Sequence, residues 1–228
     1  MFYPKWRCNG CGREVFNNEY FCSKCESELP YISENFCEHC GRQLKNKAHF
    51  CLSCKDYLTE LEVCRSVFNY DKPISTLIKK LKYENGLYLA KMFSEYLAKA
   101  YNKYQMTADY LTFVPMTLKA ERKRGYNQSR LLCEQMAKIL QIQVFYGITK
   151  EKETKRQARL SKQARLRNLL FAFKINDKKS VINKRILVID DVTTTGSTAK
   201  VLAQKFIKAG ARSVSLLTIA SVAHKEGY

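Results

Sequence analysis

Two adjacent carboxylates, Asp190 and Asp191, stand directly after the apolar run Ile186–Ile189 and just before Thr193-Thr194-Thr195-Gly196-Ser197-Thr198. Carboxylates side by side repel and raise each other's pKa, which favours a pair with a use over the alternative, a buried strand that ends in a solvated acidic turn. The residues that follow suggest the use. They offer backbone N–H groups around one glycine, several hydroxyls and the start of a helix expected over Ser197–Ala209, a combination that binds phosphate. Because carboxylates accept hydrogen bonds from vicinal hydroxyls, an acidic pair beside a phosphate cradle suits a ribose 5-phosphate.

A second set of chemically competent residues lies at the other end of the chain. Cys8-x2-Cys11, Cys22-x2-Cys25, Cys37-x2-Cys40 and Cys51-x2-Cys54 form four pairs, and the last two repeat the first two at a shift of 29 residues. Gly12-Arg13 recurs as Gly41-Arg42 and Phe21 recurs as Phe50, so a whole unit is duplicated. Four thiolates at tetrahedral reach make a structural zinc site with no open position for chemistry, and two Zn2+ are expected. Disulfides or an iron–sulfur cluster are the other uses of such cysteines. Sequential pairing within each repeat is the expectation; pairing between repeats uses the same cysteines and stays open. A unit this short cannot bury enough surface to fold alone, so metal must supply the stability. His39 and His49 read as surface residues, and Cys64 and Cys133 as inert core thiols.

The elements that must position these groups follow from patterning. Four apolar residues in a row before Asp190 read as a strand buried on both faces, the middle of a parallel sheet, and open α/β sheets bind ligands beyond the carboxyl ends of their strands. Cys64–Tyr70 alternates as a strand, and Pro73 opens an amphipathic helix carrying Ile74, Leu77, Ile78 and Leu81 on one face, with Lys79, Lys80 and Lys82 on others. A second helix is expected over Leu87–Tyr104, a short strand over Tyr110–Val114, a helix over Asn127–Leu140 and a last strand over Ser213–Val222, with Gly210 ending the helix before it. Pro115-Met116 stops the short strand. Thr117–Gln128, with Lys119, Arg122, Lys123 and Arg124, reads as a basic loop or turn. The organisation is a zinc module over residues 1–62 and an α/β domain over 63–228.

Charge divides at the same place. The chain carries a formal +19, but residues 1–62 hold net −1 and residues 63–228 net +20. Such a field attracts polyanions, or simply solvates a lysine-rich surface. The near-neutral zinc module suits docking rather than DNA contact. Lys150–Asn168 holds eight basic residues, among them Arg156, Arg159, Lys162 and Arg165, against two acidic ones. These charges suit a pyrophosphate, a nucleic-acid backbone or a solvated face. No segment reads as a signal peptide or membrane span, so a cytoplasmic protein without membrane insertion is expected. No Gly-x4-Gly-Lys-Ser/Thr sequence occurs, so the chain is not itself a P-loop motor.

Ile186–Thr198 resembles the phosphoribosyl-pyrophosphate (PRPP) motif of type I phosphoribosyltransferases. That resemblance implies a parallel sheet flanked by helices and PRPP bound with Mg2+. Asp190 and Asp191 would take the catalytic, ribose-binding role, and Thr193, Thr194, Thr195, Gly196, Ser197 and Thr198 the 5-phosphate. Pro115, Met116 and Thr117 would sit in the loop that grips the pyrophosphate. It also puts a closing flexible loop at Lys150–Asn168 and asks for an acceptor pocket built upstream of the last strand. The Cys pairs, the Tyr70–Tyr83 region, Arg124-Gly125-Tyr126-Asn127-Gln128-Ser129, the Thr154/Gln157/Leu160/Arg165/Asn168/Phe173 pattern and the PRPP motif, in this order, resemble the ComF family of competence and DNA-uptake proteins. What that resemblance implies is a PRPP-binding protein that handles incoming single-stranded DNA, served by a helicase-like ATPase as partner. An active phosphoribosyltransferase with an unidentified acceptor is the alternative, and a PRPP-sensing regulator a third reading.

Overall fold

The computed structural model describes residues 6–16, 19–46, 48–51, 54, 60–84, 86–152 and 170–222. In chain order these form β1 (Trp6–Arg7), β2 (Glu14–Val15), α1 (Ser23–Ser27), β3 (Leu61–Asn69), α2 (Ile74–Tyr83), α3 (Tyr88–Lys103), β4 (Tyr110–Phe113), α4 (Leu118–Arg124), α5 (Gln128–Leu140), β5 (Ile148–Lys150), β6 (Phe173–Ile175), β7 (Arg185–Thr193), α6 (Ser197–Lys208) and β8 (Ser213–Ser221). The fold is α/β: a four-stranded parallel sheet in the order β3-β8-β7-β4, flanked by helices, with a small cysteine module at the N-terminal side.

Strand β7 is interior and its apolar run serves two cores by alternation. Leu187 and Ile189 join the cluster built with α2, α3 and α5, and Ile186 and Val188 join the one built with α6. All four are 0–1% exposed, which is why no polar residue interrupts the run. The strand is longer than the apolar run, because β8 continues beside it and pairs Val192 with Ala220 and Thr193 with Ser221. Its other neighbour stops sooner: β4 ends at Phe113, opposite Ile189. Asp190 and Asp191 therefore stand on a strand that overhangs β4. The chain leaves β4 toward the α5 face and leaves β7 toward the α6 face, so this overhang lies at a topological switch point, where α/β sheets open a crevice.

One expected loop is a helix. Thr117–Gln128 contains α4, with Thr117 as N-cap, its Oγ1 accepting from the Ala120 N–H at 3.2 Å, and Gly125 as C-cap at φ 89°. Arg122, Lys123 and Arg124 occupy its last turn, where cations favour a helix C-terminus. Asn127 then caps α5, its Oδ1 accepting from the Ser129 and Arg130 N–H groups at 3.0 and 3.2 Å. The charge of the segment hid a short capped helix.

The cysteine module is sewn to the free edge of β3. Tyr31 bridges Phe68 in antiparallel sense, the Ile32 N–H donates to the Val67 carbonyl at 3.1 Å, and the Asn69 N–H donates to the Pro30 carbonyl at 2.7 Å. Lys150 and Phe173 pair across the antiparallel β5–β6 ribbon, which brackets the basic stretch. Most of that stretch, including Thr154, Arg156, Gln157, Arg159, Leu160, Lys162, Arg165 and Asn168, lies outside the described residues.

Candidate functional site

The acidic pair is held from two helices. Ser129 Oγ, at the start of α5, donates to Asp190 Oδ1 at 2.6 Å, and the Asp191 N–H donates to the same oxygen at 2.9 Å. Asp191 is 3% exposed, forms an ion pair with Lys82 Nζ near the end of α2, and lies 3.5 Å from Gln128 Nε2. The two carboxylates thus differ. Burial first, and then the Asp191 charge, push the Asp190 carboxyl up to about 8, against the pull of the Ser129 hydrogen bond. Burial disfavours the Lys82 ammonium, but Asp191 outweighs it and keeps its pKa above the ordinary lysine value.

This arrangement has a pH signature. Between about pH 4 and about pH 8 the folded chain keeps a proton on Asp190 that the unfolded chain has released, so stability falls as pH rises through that window. The urea midpoint is expected to be lower at about pH 8.5 than at about pH 6, and Asp190→Asn is expected to remove most of the difference. Equal pH dependence of the two proteins in denaturation curves would show that Asp190 does not titrate there.

Beyond the acids, the chain turns at Thr194–Gly196. Gly196 takes the left-handed conformation at φ 69° as N-cap of α6 and supplies no side-chain cap, while the Ser197 N–H donates to Thr195 Oγ1 at 3.4 Å. Thr193 is buried, Thr194 and Thr195 are exposed, and the Thr195 and Ser197 hydroxyls lie 2.8 Å apart. On the other side of Lys82 opens a cleft of about 540 Å³, lined by Lys82, Tyr83, Met116, Lys119, Lys123, Arg124 and Tyr126 among others. The Arg124 guanidinium lies 5.1 Å from the centre of the Tyr83 ring. The structure therefore gathers Lys119, Lys123 and Arg124 at one cleft, whereas Arg122 is exposed and does not line it. Pro115 and Thr117 are buried at the turn into α4, and Met116 is half-buried. Tyr126 is half-buried, its hydroxyl donating to the Leu81 carbonyl.

The cysteines form two groups, Cys8/Cys11/Cys22/Cys25 and Cys37/Cys40/Cys51/Cys54, with the sulfurs of each within 4.8 Å of one another. Pairing is within each repeat. Backbone donors complete the fit to zinc: the Cys22 N–H points to Cys8 Sγ at 3.3 Å and the Cys51 N–H to Cys37 Sγ at 3.4 Å, and such contacts stabilise thiolates. The duplication extends to the turns, since Cys8 N–H donates to the Arg13 carbonyl and Cys37 N–H to the Arg42 carbonyl, both at 2.8 Å. His49 is exposed and paired with Glu38, while His39 is half-buried beside the second group rather than on the surface. Cys64 and Cys133 are buried, and burial pushes the Cys64 thiol up to about 12, so it is inert as expected.

Residues 1–65 match the double zinc ribbon domain. DNA utilization protein YhgH of Escherichia coli K12 is 32% identical over 157 residues, covering 66% of this chain and 68% of that protein. The chain belongs to the ComF family. Other relatives in that group are Competence protein F of Haemophilus influenzae, 28% identical over 220 residues and covering 93% and 89% of the two chains, and Competence protein ComFC of Streptococcus pneumoniae, 28% identical over 158 residues and covering 68% and 66%. Among solved structures, glutamine PRPP amidotransferase of B. subtilis has a TM-score of 0.43 at 20% identity, over 59% of this chain and 26% of that one. A hypoxanthine phosphoribosyltransferase of Staphylococcus aureus has 0.39 at 12%, over 61% and 76%.

Several residues at the acidic pair had no role assigned from sequence. Within the ComF string Arg124–Ser129, Gly125 ends α4, Asn127 starts α5 and also donates to the Val114 carbonyl at 3.1 Å, and Gln128 and Ser129 reach the two acids. Lys82 was one lysine among several on a polar helix face. No helix among the described residues is long and apolar enough to cross a membrane.

Proposed function

We propose that this chain is a PRPP-binding protein of natural transformation that handles incoming single-stranded DNA in the cytoplasm. The observation that carries the reading is the overhang of β7, where an acidic pair, a glycine turn opening a helix and a basic cleft meet at a switch point of the sheet. Asp190, half-buried and held by Ser129, takes a ribose hydroxyl. Asp191 fixes Lys82, whose ammonium lines the cleft and suits the pyrophosphate end. The turn Thr194–Thr198 takes the 5-phosphate through backbone amides and hydroxyls. Mg2+ accompanies PRPP and supplies charge neutralisation of its pyrophosphate, with carboxylate oxygens as suitable hard ligands. The competence and DNA-utilization names of the relatives support the DNA side of the reading. A helicase-like ATPase is the proposed partner, since moving a strand needs work and no P-loop sequence is present in these 228 residues.

A second reading, an active phosphoribosyltransferase, is favoured by one feature: Lys82, Lys119, Lys123 and Arg124 line a cleft beside the acids, where they suit a departing pyrophosphate. Release of pyrophosphate from PRPP with any nucleobase or amine decides for it.

The double variant Asp190→Asn, Asp191→Asn is the test of the shared site. Asp190 offers the ribose a hydrogen bond and Asp191 acts through Lys82, so PRPP affinity with magnesium is expected to fall by a few kcal/mol at most, hydrogen bonds to charged groups contributing about 1.5–3 kcal/mol each. Titration calorimetry on protein shown to be folded measures this, and an unchanged affinity would leave the motif a relic.

A further inference from the structure

The duplicated zinc units place the same residue in two different surroundings. Arg13 of the first unit is exposed and its Nε points to Cys11 Sγ at 3.4 Å. Arg42, its counterpart in the second unit, is 5% exposed, and its Nη2 donates to the backbone carbonyl of Thr194. The contact joins the zinc module to the phosphate turn across 152 residues of sequence. Arg42 Nε is buried without a hydrogen-bond partner among the described residues. A guanidinium buried with a donor unmet is a poor packing group, which argues for a role beyond filling space.

The second unit is anchored where it can aim this arginine. Gly41, at φ 68°, packs on β3 so closely that a Cβ there would touch the Cys64 carbonyl and lie 2.8 Å from Arg65 Cα. Arg65 Nη1 donates to the Glu38 carbonyl at 2.9 Å, and its guanidinium stacks 4.8 Å from the centre of Phe36 and 5.5 Å from that of Tyr104. Arg42 lies two residues after the ligand Cys40, and its own carbonyl accepts from Cys37 N–H. Its backbone is therefore fixed by the metal knuckle on one side and by the sheet edge on the other.

Peptide planarity then gives the contact a consequence for the turn. In a trans peptide unit the C=O of residue 194 and the N–H of residue 195 point in opposite directions. A guanidinium that holds the Thr194 carbonyl outward turns the Thr195 N–H the other way and keeps a repulsive carbonyl from facing a bound phosphate. We propose that Arg42 is a positioning residue for the 5-phosphate turn, and that zinc in the second four-cysteine group, through Arg42, sets the affinity for the ribose 5-phosphate end of the ligand. This rests on the phosphoribosyl reading of the turn.

Ribose 5-phosphate and magnesium pyrophosphate are the two probes, each titrated into the full chain by calorimetry. Arg42→Gln is expected to weaken ribose 5-phosphate by at least about tenfold, the loss of one charged hydrogen bond, and to change magnesium pyrophosphate by less than about twofold. Arg13→Gln is the control, expected to change neither. Absence of ribose 5-phosphate binding by the unmodified protein would defeat the phosphoribosyl reading itself; binding that Arg42→Gln leaves intact would overturn only the role of Arg42. Should Arg42→Gln fold poorly, hydrogen exchange of residues 193–198 decides in Cys40→Ser and Cys11→Ser. Faster exchange by about tenfold or more in Cys40→Ser alone supports the coupling, and equal exchange in both variants overturns it.

Discussion

Cys11→Ser is expected to carry one zinc ion where the unmodified chain carries two, and to lose the fold of about the first 30 residues while the parallel sheet still unfolds cooperatively. Apparent zinc binding in small structural sites is worth about 10–16 kcal/mol, more than any other single contribution available to a unit of that size. What remains without metal is slight. Cys8, Val15, Phe21 and Leu29 are the buried apolar residues that join this unit to the sheet core. A few hydrogen bonds assist them: Tyr20 Oη to Glu95 at 2.9 Å, Tyr31 Oη and Tyr96 Oη to Glu26 at 2.7 and 2.8 Å, Asn9 Nδ2 to Met92 Sδ at 3.7 Å, and Asn69 N–H to the Pro30 carbonyl at 2.7 Å. At about 0.5–1.5 kcal/mol net for an ordinary hydrogen bond, with charged acceptors somewhat above that, these cannot offset the ordering entropy of the unit. Metal analysis and native-state hydrogen exchange check the expectation together. Fewer than two ions in the unmodified protein, or two in the variant, would refute the assignment of the two four-cysteine groups.

The second large effect is expected from salt. Lys82, Lys119, Lys123 and Arg124 line one cleft with Tyr83 and Tyr126, and eight basic residues follow within Lys150–Asn168. If about five to seven of these side chains touch phosphates, counterion release gives a log–log slope of affinity against salt near −0.7 per contact on a single strand, or about −3.5 to −5. Between about 50 and 200 mM salt the affinity then falls by about two to three orders of magnitude. Tyr83 is 69% exposed and offers a face for base stacking, worth about 1–3 kcal/mol and tolerant of sequence. Changing Arg156, Arg159 and Lys162 to glutamate is expected to flatten the slope by about two to three units, whereas a stretch that serves PRPP alone would leave DNA binding as it was. Fluorescence anisotropy with a labelled oligothymidylate across a salt series measures both. A flat salt dependence of the unmodified protein would end the nucleic-acid reading.

Local chemistry was legible in the sequence and long-range chemistry was not. The run Ile186–Ile189 announced its burial on both faces because a two-residue period with no polar member leaves no solvent face, and the cysteine spacing announced two metal groups because thiolates three residues apart share a turn. Helix α4 was missed for a physical reason. Its seven residues carry no buried side chain, so no apolar period marks it, and its signals are the cap Thr117 and the stop Gly125. Lys82, Gln128 and Arg42 escaped because their partners lie far along the chain. The ion pair of Lys82 with Asp191 forms only once α2 packs beside β7, and the reach of Arg42 to Thr194 only once the second knuckle sits on β3. Nothing within one repeat distinguishes Arg42 from Arg13. The string Arg124–Ser129 was recognisable as a string, but the work of its members became readable only with Asp190 and Asp191 set opposite.

The attachment of the cysteine module along β3 bears on solubility as well as on the site. A parallel sheet in the order β3-β8-β7-β4 has β3 as an outer strand, nine residues long, with Val67 and Phe68 among its buried members. Left bare, such a strand presents unpaired amides and carbonyls to any other extended chain, including another copy of itself. The segment Pro30–Ile32 occupies part of that row and ends the sheet on that side. Where chelation loosens that segment, the expected result is a template for strand addition, read as light scattering by the metal-free protein at temperatures at which its sheet is still folded.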